Sequence, residues 1–434
     1  MLQLSPTEWL LSLVMISTGL VMIFFYWRWF SQYIQLFSQQ SPSVDDSELP
    51  RVGVILTLRG DDPYLDQTLP GLFQQDYPDY EIMIVLDRVD DPASVHVNRI
   101  LAQHPDVNCH VHHLVDHNPG RSLKLSAILE GLQHLSPETR VISIIDADAQ
   151  PNSQWLKELI KPLLQPGVGA TSGIRWFIPE KYEMGMILRQ MWNLYADVQM
   201  HTFGIPWGGS LACRRELFEE PEFETYLRSG FSEDTSVARA LIDKKLKLVV
   251  VPKLVMVNRE AITLSSCISF IRRQFIVARL HHPYWNTICL WNIFTFFTPV
   301  FIYSMLFYSL MTGWIPMLIT SFVMIVIVQG GMRILFQWLN RVIFRQIQEN
   351  AKLPGGQDLT SITYNETTPP FMLMIVGMYL TICVTLYGTI SAHFARRVSW
   401  RGIDYRIRTD YTIEMVAYHP YLIDSATAEK KMSI

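Results

Sequence analysis

The chain has 434 residues, of which 49% are hydrophobic, 12% aromatic and only 18% charged, with a formal net charge of −4. So apolar a composition excludes an ordinary soluble enzyme, and the negative balance speaks against nucleic acid as a partner. The five cysteines, an odd number without CxxC spacing, exclude a disulfide framework or zinc knuckle and fit a reducing compartment.

The first apolar run, Trp9–Phe30, has Arg28 as its only charged member and is long enough to cross a hydrocarbon core of about 30 Å. Trp9, Tyr26, Trp27 and Trp29 bracket it like an interfacial belt. It lacks the basic start and small-residue cleavage site of a signal peptide, so an uncleaved anchor is expected. Arg28 and Arg51 follow where no Lys or Arg precedes, which puts its C-terminal side in the cytoplasm. Ser38–Pro50, rich in Ser, Gln, Asp and Pro, then reads as a linker.

An alternation of elements follows. Strands are expected at Val52–Leu58, Glu81–Asp87, Cys109–Val115 and Val141–Ala147, with helices at Leu65–Gln75, Ala93–His104 and Ser122–Leu135. This order predicts an α/β domain with a mostly parallel sheet covered on both faces. Glycine-rich phosphate cradles are lacking, since Gly167-Val-Gly169 has the wrong continuation and opens another strand. Beyond Asp148, strands are expected at Val168–Phe177, Gly209–Arg214 and Leu246–Pro252. Tyr182–His201 and Leu264–Leu280 are amphipathic helices, suited either to the membrane interface or to packing on a core.

Three further runs, Trp285–Met311, Trp314–Gln329 and Phe371–Ala392, carry no charge and have the length, or nearly the length, of a membrane span. Arg333, Arg341, Arg345 and Lys352 mark the loop after the second as cytoplasmic. Arg396, Arg397, Arg401, Arg406 and Arg408 mark the tail likewise, although one span lies between them. Either Phe371–Ala392 does not cross fully or the charge rule fails there. On a cytoplasmic loop the sequon Asn365-Glu366-Thr367 is without meaning. The expected organisation is an anchor over 1–37, a linker over 38–50 and a catalytic domain over 51–262. An amphipathic interfacial helix over 263–283, a transmembrane region over 284–395 and a basic tail over 396–434 complete it.

Three acidic positions carry the candidate chemistry. Asp87 ends the second strand, Asp146 and Asp148 end the fourth, and Glu233-Asp234 precede the helix Ser236–Lys244. Two carboxylates spaced i, i+2 at a strand end suit a hard divalent cation, which offsets the charge of a departing diphosphate. The plainer alternatives are a turn residue at Asp87 and helix caps at Asp148 and Asp234.

In combination these residues give the chain a resemblance to the family 2 glycosyltransferases, most closely their ceramide glucosyltransferase-like branch. The stretch Tyr77-Pro-Asp-Tyr-Glu-Ile82 resembles the family's "YP.YEI", and Asp87 through Asp91-Pro-Ala93 is similar to its "DHDDPA". Asn118–Lys124 resembles its basic loop and Asp146-Ala-Asp148 its DxD; Trp207-Gly208-Gly209-Ser210 with Arg214-Arg-Glu216 looks like its acceptor-side loop, and Glu233-Asp234 like its "ED". The resemblance covers about Leu49 to Leu280. It implies a mixed-sheet nucleotide-diphospho-sugar transferase domain of the GT-A type with flanking transmembrane helices.

Carried over, it implies that Asp87 and Thr57 hold the uracil and that Lys124 sits near the nucleotide or sugar. Asp146 and Asp148 would hold UDP with Mg2+ or Mn2+, Asp148 as the more direct ligand, and Asp234 would be the general base. Trp207, Gly208, Gly209 and Glu233 would border the acceptor. One departure matters: the family's Q-x-x-R-W is here Ile271-Arg-Arg-Gln-Phe275, without its first Gln and its Arg, or in the other register Gln274 alone is kept. Arg272 or Arg273, beside Gln274, could reach phosphate oxygens instead or bind lipid headgroups.

His110 and His112 share one strand face beside His113 and His117, but a third metal ligand is lacking, so ordinary exposed histidines are expected. His281-His282 is expected at the interface. The function implied is an inverting transfer of a hexose, glucose from UDP-glucose, to a lipid hydroxyl on the cytoplasmic side. A processive polysaccharide synthase and a catalytically silent nucleotide-binding membrane protein are the alternatives.

Overall fold

The computed structural model of the protein describes residues 6–421. The first five residues of the expected anchor and residues 422–434 of the expected tail lie outside the described residues. Helix α1 (Pro6–Leu36) leads into strict alternation: β1 (Val52–Leu58), α2 (Leu65–Phe73), β2 (Tyr80–Leu86), α3 (Ala93–Leu101), β3 (Cys109–His113), α4 (Leu123–His134) and β4 (Val141–Ile145). The domain continues through α5 (Trp155–Ile160), β5 (Val168–Phe177), α6 (Met184–Phe203), β6 (Ser210–Arg214) and α7 (Arg215–Phe218). It closes with α8 (Pro221–Arg228), α9 (Glu233–Lys244), β7 (Lys247–Asn258) and α10 (Leu264–His281).

The seven strands form one sheet in the order β3-β2-β1-β4-β6-β5-β7, with β6 antiparallel to both neighbours and the other pairs parallel. The expected α/β mixed sheet is therefore what the chain has. The strands are apolar on both faces because helices cover both. Val54, Leu56 and Ile84 pack with Leu65 and Leu69 of α2, Val97 of α3 and Trp155 of α5. Ile55, Met83, Val85 and Ile144 face the other way onto Leu125 and Ile128 of α4. β7 runs six residues past the expected Pro252, through register irregularities against β5.

Register sets the site. Leu58 pairs with Leu86 and Leu56 with Ile145, so the C-terminal ends of β1, β2 and β4 lie side by side. Antiparallel β6 begins where they finish, with Ser210 opposite Ile145, and Asp146 N donates to Gly209 O at 3.2 Å. One sheet edge thus collects Thr57, Asp87, Asp146, Asp148 and the Trp207-Gly208-Gly209 loop.

Helices α11 (Trp285–Thr312), α12 (Ile315–Asn350) and α13 (Phe371–His393) follow. Among the described residues four helices are long and apolar enough to cross a membrane. They leave large apolar side chains such as Leu13, Phe24, Leu290, Phe307 and Phe322 on the outside. The segment carrying Arg333, Arg341 and Arg345 is not a loop but the second half of α12, whose last residue, Asn350, donates to Lys253 O at 2.9 Å in β7. Both ends of α13 are tied to helices of the α/β domain. Before it, Gln190 Nε2 donates to Thr367 O at 2.7 Å; at its end, Arg279 Nη1 donates to Ala392 O at 2.8 Å.

The expected basic tail needs correction. Residues after α13 form an antiparallel sheet of β8 (Arg397–Trp400), β9 (Ile403–Ile407) and β10 (Ile413–Tyr418). Ile403, Tyr405 and Ile407 are buried, while Asp404 and Arg406 between them face outward. This period-2 pattern was hidden among the arginines. The sheet docks beside the edge that collects the strand-end carboxylates: Leu123 N donates to Tyr405 Oη at 3.0 Å and Met415 N to Pro119 O at 2.7 Å.

Candidate active site

Twelve of the residues singled out from sequence line one cavity of about 210 Å³: Thr57, Asp87, Lys124, Asp146, Asp148, Trp207, Gly208, Gly209, Glu233, Asp234, Arg273 and Gln274. Asp87 is buried at the end of β2. Its Oδ2 accepts from Arg59 and from Tyr418 Oη at 2.7 Å. Its Oδ1 is buried without a hydrogen bond, with His117 Nε2 3.5 Å away. Such an acceptor suits an N–H donor on a ligand.

Ser122 caps α4, its Oγ accepting from Leu125 N at 3.2 Å, and so directs Lys124 into the cavity. Lys124 Nζ lies 2.6 Å from Asp146 Oδ1 and also bonds Glu233 Oε1. Burial alone would lower its pKa, but the two carboxylates outweigh that and raise it. Burial pushes Asp146 up, while Lys124 holds it below the ordinary range. Asp148 is raised by burial and then by the like charges of Asp146 and Asp62. Asn258 Nδ2 donates to Asp148 Oδ2 at 3.1 Å. Crowded carboxylates with an amide nearby are hard oxygen donors that fit a divalent cation. Among the described residues no three His, Cys, Asp or Glu side chains gather as a group that could hold a metal ion.

Glu233 and Asp234 open α9. Asp234 Oδ1 accepts from Ser232 Oγ and from Thr235 N at 2.7 Å, and burial raises its pKa. Glu233 is also raised, by burial first, against Lys124. Gly208 leaves room for Glu233, whose carboxylate a Cβ there would displace, standing 2.0 Å from Oε1.

On α10, Arg273 and not Arg272 faces the cavity. Arg272 Nε donates to Ser391 Oγ at 2.7 Å and ties α10 to α13. Arg273 lies 5.5 Å from the Trp400 ring, and burial, with Arg401 and Arg175, pushes its pKa down to about 9. The Gln274 side chain makes no hydrogen bond among the described residues.

Sequence reasoning missed Arg59, Arg175, Arg401 and Tyr418. Arg401 has φ +43° and pairs with Asp62 Oδ2 at 3.3 Å, which brings it to the cavity wall. The alternation over Ile403–Ile407 was the only signal for that sheet. The histidines are ordinary in part: His112 stacks on His134 at 3.9 Å. His281 and His282 are both engaged within the fold: Phe231 N donates to His281 Nε2 at 3.0 Å, and His282 Nε2 lies 3.1 Å from Phe203 O. Burial pushes both down to about 4.

A second cavity of about 130 Å³ is walled mainly by apolar residues of α1, α6, α10, α11, α12 and α13. It shares Arg175, Trp207, Asp234, Gln274 and Val277 with the first, so Asp234 borders both.

The profile of glycosyl transferase family 21 matches residues 7–413. A ceramide glucosyltransferase of Komagataella phaffii is 26% identical over 125 residues, which are 28% of this chain and 25% of that protein. The match thus spans a quarter of that relative's length. Among solved structures, a mannosyltransferase from Pyrobaculum calidifontis in complex with GDP-Man and Mn2+ aligns with a TM-score of 0.47 at 16% identity, covering 88% of this chain and 98% of that one. A glucosyl-3-phosphoglycerate synthase from Mycobacterium tuberculosis, with Mn2+, UDP and glucosyl-3-phosphoglycerate, gives 0.40 at 16% identity over 56% and 86%.

Proposed function

This chain belongs to glycosyl transferase family 21, and from that premise we propose that it is a membrane-bound inverting transferase moving a hexose, glucose from UDP-glucose, onto a lipid hydroxyl. The observation that carries the proposal is that Asp234 borders both a charged cavity and an apolar one. A base must touch the acceptor hydroxyl and stand beside the donor's anomeric carbon. The charged cavity suits a nucleotide-sugar; the apolar one suits an acyl chain.

In this reading Asp87 Oδ1, with Thr57 beside it, accepts the uracil N–H. Lys124, Arg273 and Arg401 face the diphosphate, and Arg273 stands in for the missing arginine of Q-x-x-R-W. Asp146 and Asp148 would hold Mg2+ or Mn2+, which when bound withdraws negative charge from the diphosphate. Asp234 takes the hydroxyl proton as the acceptor oxygen bonds to the anomeric carbon. The bond to the diphosphate breaks, UDP leaves, and a single attack from the opposite face inverts the centre. Trp207 and the Gly208-Gly209 turn, with Glu233 behind them, wall the acceptor side. The arginines of α12, whose end is tied to β7 through Asn350, support a cytoplasmic location.

Radiolabelled UDP-glucose incubated with membranes tests this. Label in organic-extractable lipid is expected; label in an insoluble polymer would instead support a processive synthase. Label in neither would support a silent binder. The charge on Arg401 gives a separate expectation. Arg401→Ala should raise the Kd for UDP about tenfold or more, the scale of a lost charged hydrogen bond. An unchanged Kd by calorimetry would remove Arg401 from the donor site.

A further inference from the structure

The apolar cavity holds one carboxyl group that the transfer chemistry does not use. Asp197, on α6, lines it. The only hydrogen bond to its side chain among the described residues comes from Asn193 Nδ2, at 2.9 Å from Oδ2. The same Nδ2 donates to Arg175 O at 2.9 Å, so Asn193 is held by the backbone of β5 and orients the acid. No ion pair reaches Asp197 among the described residues. Burial pushes its carboxyl well above the ordinary range, against the opposing Arg175 guanidinium. A neutral carboxyl there can both give and take a hydrogen bond.

A polar group enclosed by apolar walls and incompletely bonded is costly, by about 1–3 kcal/mol for an unmet hydrogen bond. Asp197 shares its cavity with Asp234, where the acceptor hydroxyl would sit. Its missing partner therefore belongs to whatever fills that cavity. We propose that Asp197, oriented by Asn193, recognises a second polar group on the acceptor lipid, a hydroxyl or an amide close to the hydroxyl that receives the sugar. This rests on reading the cavity as the acceptor site. A site built to hydrogen-bond its substrate rejects an analogue lacking the group, because its own polar atoms are then left unpaired.

The test uses the full-length protein in detergent with three acceptors: a long-chain N-acyl amino alcohol, a long-chain 1,2-diol and a plain long-chain alcohol. The wild type is expected to favour one or both of the first two over the third by about tenfold or more in kcat/KM. Which of the two it favours separates amide from hydroxyl. Asp197→Leu should bring the ratio near unity, and Asp197→Asn, which still gives and takes hydrogen bonds, should keep most of it. The Kd for UDP should be unchanged in both, which also reports on folding. A wild type indifferent to the second polar group, or an Asp197→Leu variant as selective as the wild type, would overturn the inference while leaving lipid transfer standing. Failure of all three acceptors, with a lipid extract also unlabelled, would overturn the acceptor-site reading together with it.

Discussion

Asp234→Asn is expected to abolish sugar transfer while the protein still binds UDP as before. Asparagine keeps the size of the side chain and an oxygen for the Thr235 N and Ser232 Oγ hydrogen bonds that orient Asp234. It cannot take a proton. A general base contributes about 10²–10⁴-fold, so transfer should fall by that amount. Burial raises the Asp234 carboxyl, and the base works only when deprotonated. Wild-type kcat/KM should therefore decline as the pH falls through that raised pKa, with its acid limb above the ordinary aspartate range. Radiolabel transfer across a pH series, with calorimetric UDP titration, measures both parts. An Asp234→Asn enzyme that turns over normally would end the assignment of the base.

The second large effect is expected at Asp148. Asp146 is already engaged by Lys124 at 2.6 Å. Asp148 has no ion pair among the described residues, and burial, then the like charges of Asp146 and Asp62, raise its pKa against Arg175 and Arg401. A divalent cation is the natural relief for such a cluster. Replacing Asp148 by Ala leaves Asp146, itself bonded to Lys124, as the remaining DxD carboxylate. UDP titrated in the presence of Mn2+ or Mg2+, and again after chelation, should bind the wild type far better with metal. In Asp148→Ala that difference should vanish, with affinity lost by roughly 10²-fold. A variant whose titration still responds to metal as the wild type does refutes the ligand role. Asp146→Ala should behave differently, because it also frees Lys124 and leaves Glu233 as that amine's ion-pair partner.

Much of this was legible in the sequence because the signals are local. Apolar runs of strand length ending in Asp87 and Asp146, separated by helical periods, imply parallel strands whose ends meet. The mixed sheet and the family resemblance both followed from such short stretches. Gly208, tucked against Glu233 Oε1, belongs to a four-residue loop that could be read by motif. These features depend on neighbours a few residues away, and the chain order alone carries them.

Other features depended on which side of an element faces its neighbour. Adjacent arginines at 272 and 273 are indistinguishable by composition. Their position on α10 sends one to Ser391 and the other into the cavity. The apolar cavity exists only where six helices from distant parts of the chain fail to fill the space between them. Arg401 reaches Asp62 across 339 positions, and Tyr418 reaches Asp87 across 331. Periodicity decides that a strand forms and which of its faces is apolar, but where that strand docks is set by long-range packing. The amino-acid sequence by itself therefore determined the sheet, the strand-end carboxylates and the membrane-length helices. Tertiary structure decided which cations meet those carboxylates and how the apolar chamber opens onto Asp234, because both arise from surfaces that touch only after the chain has folded.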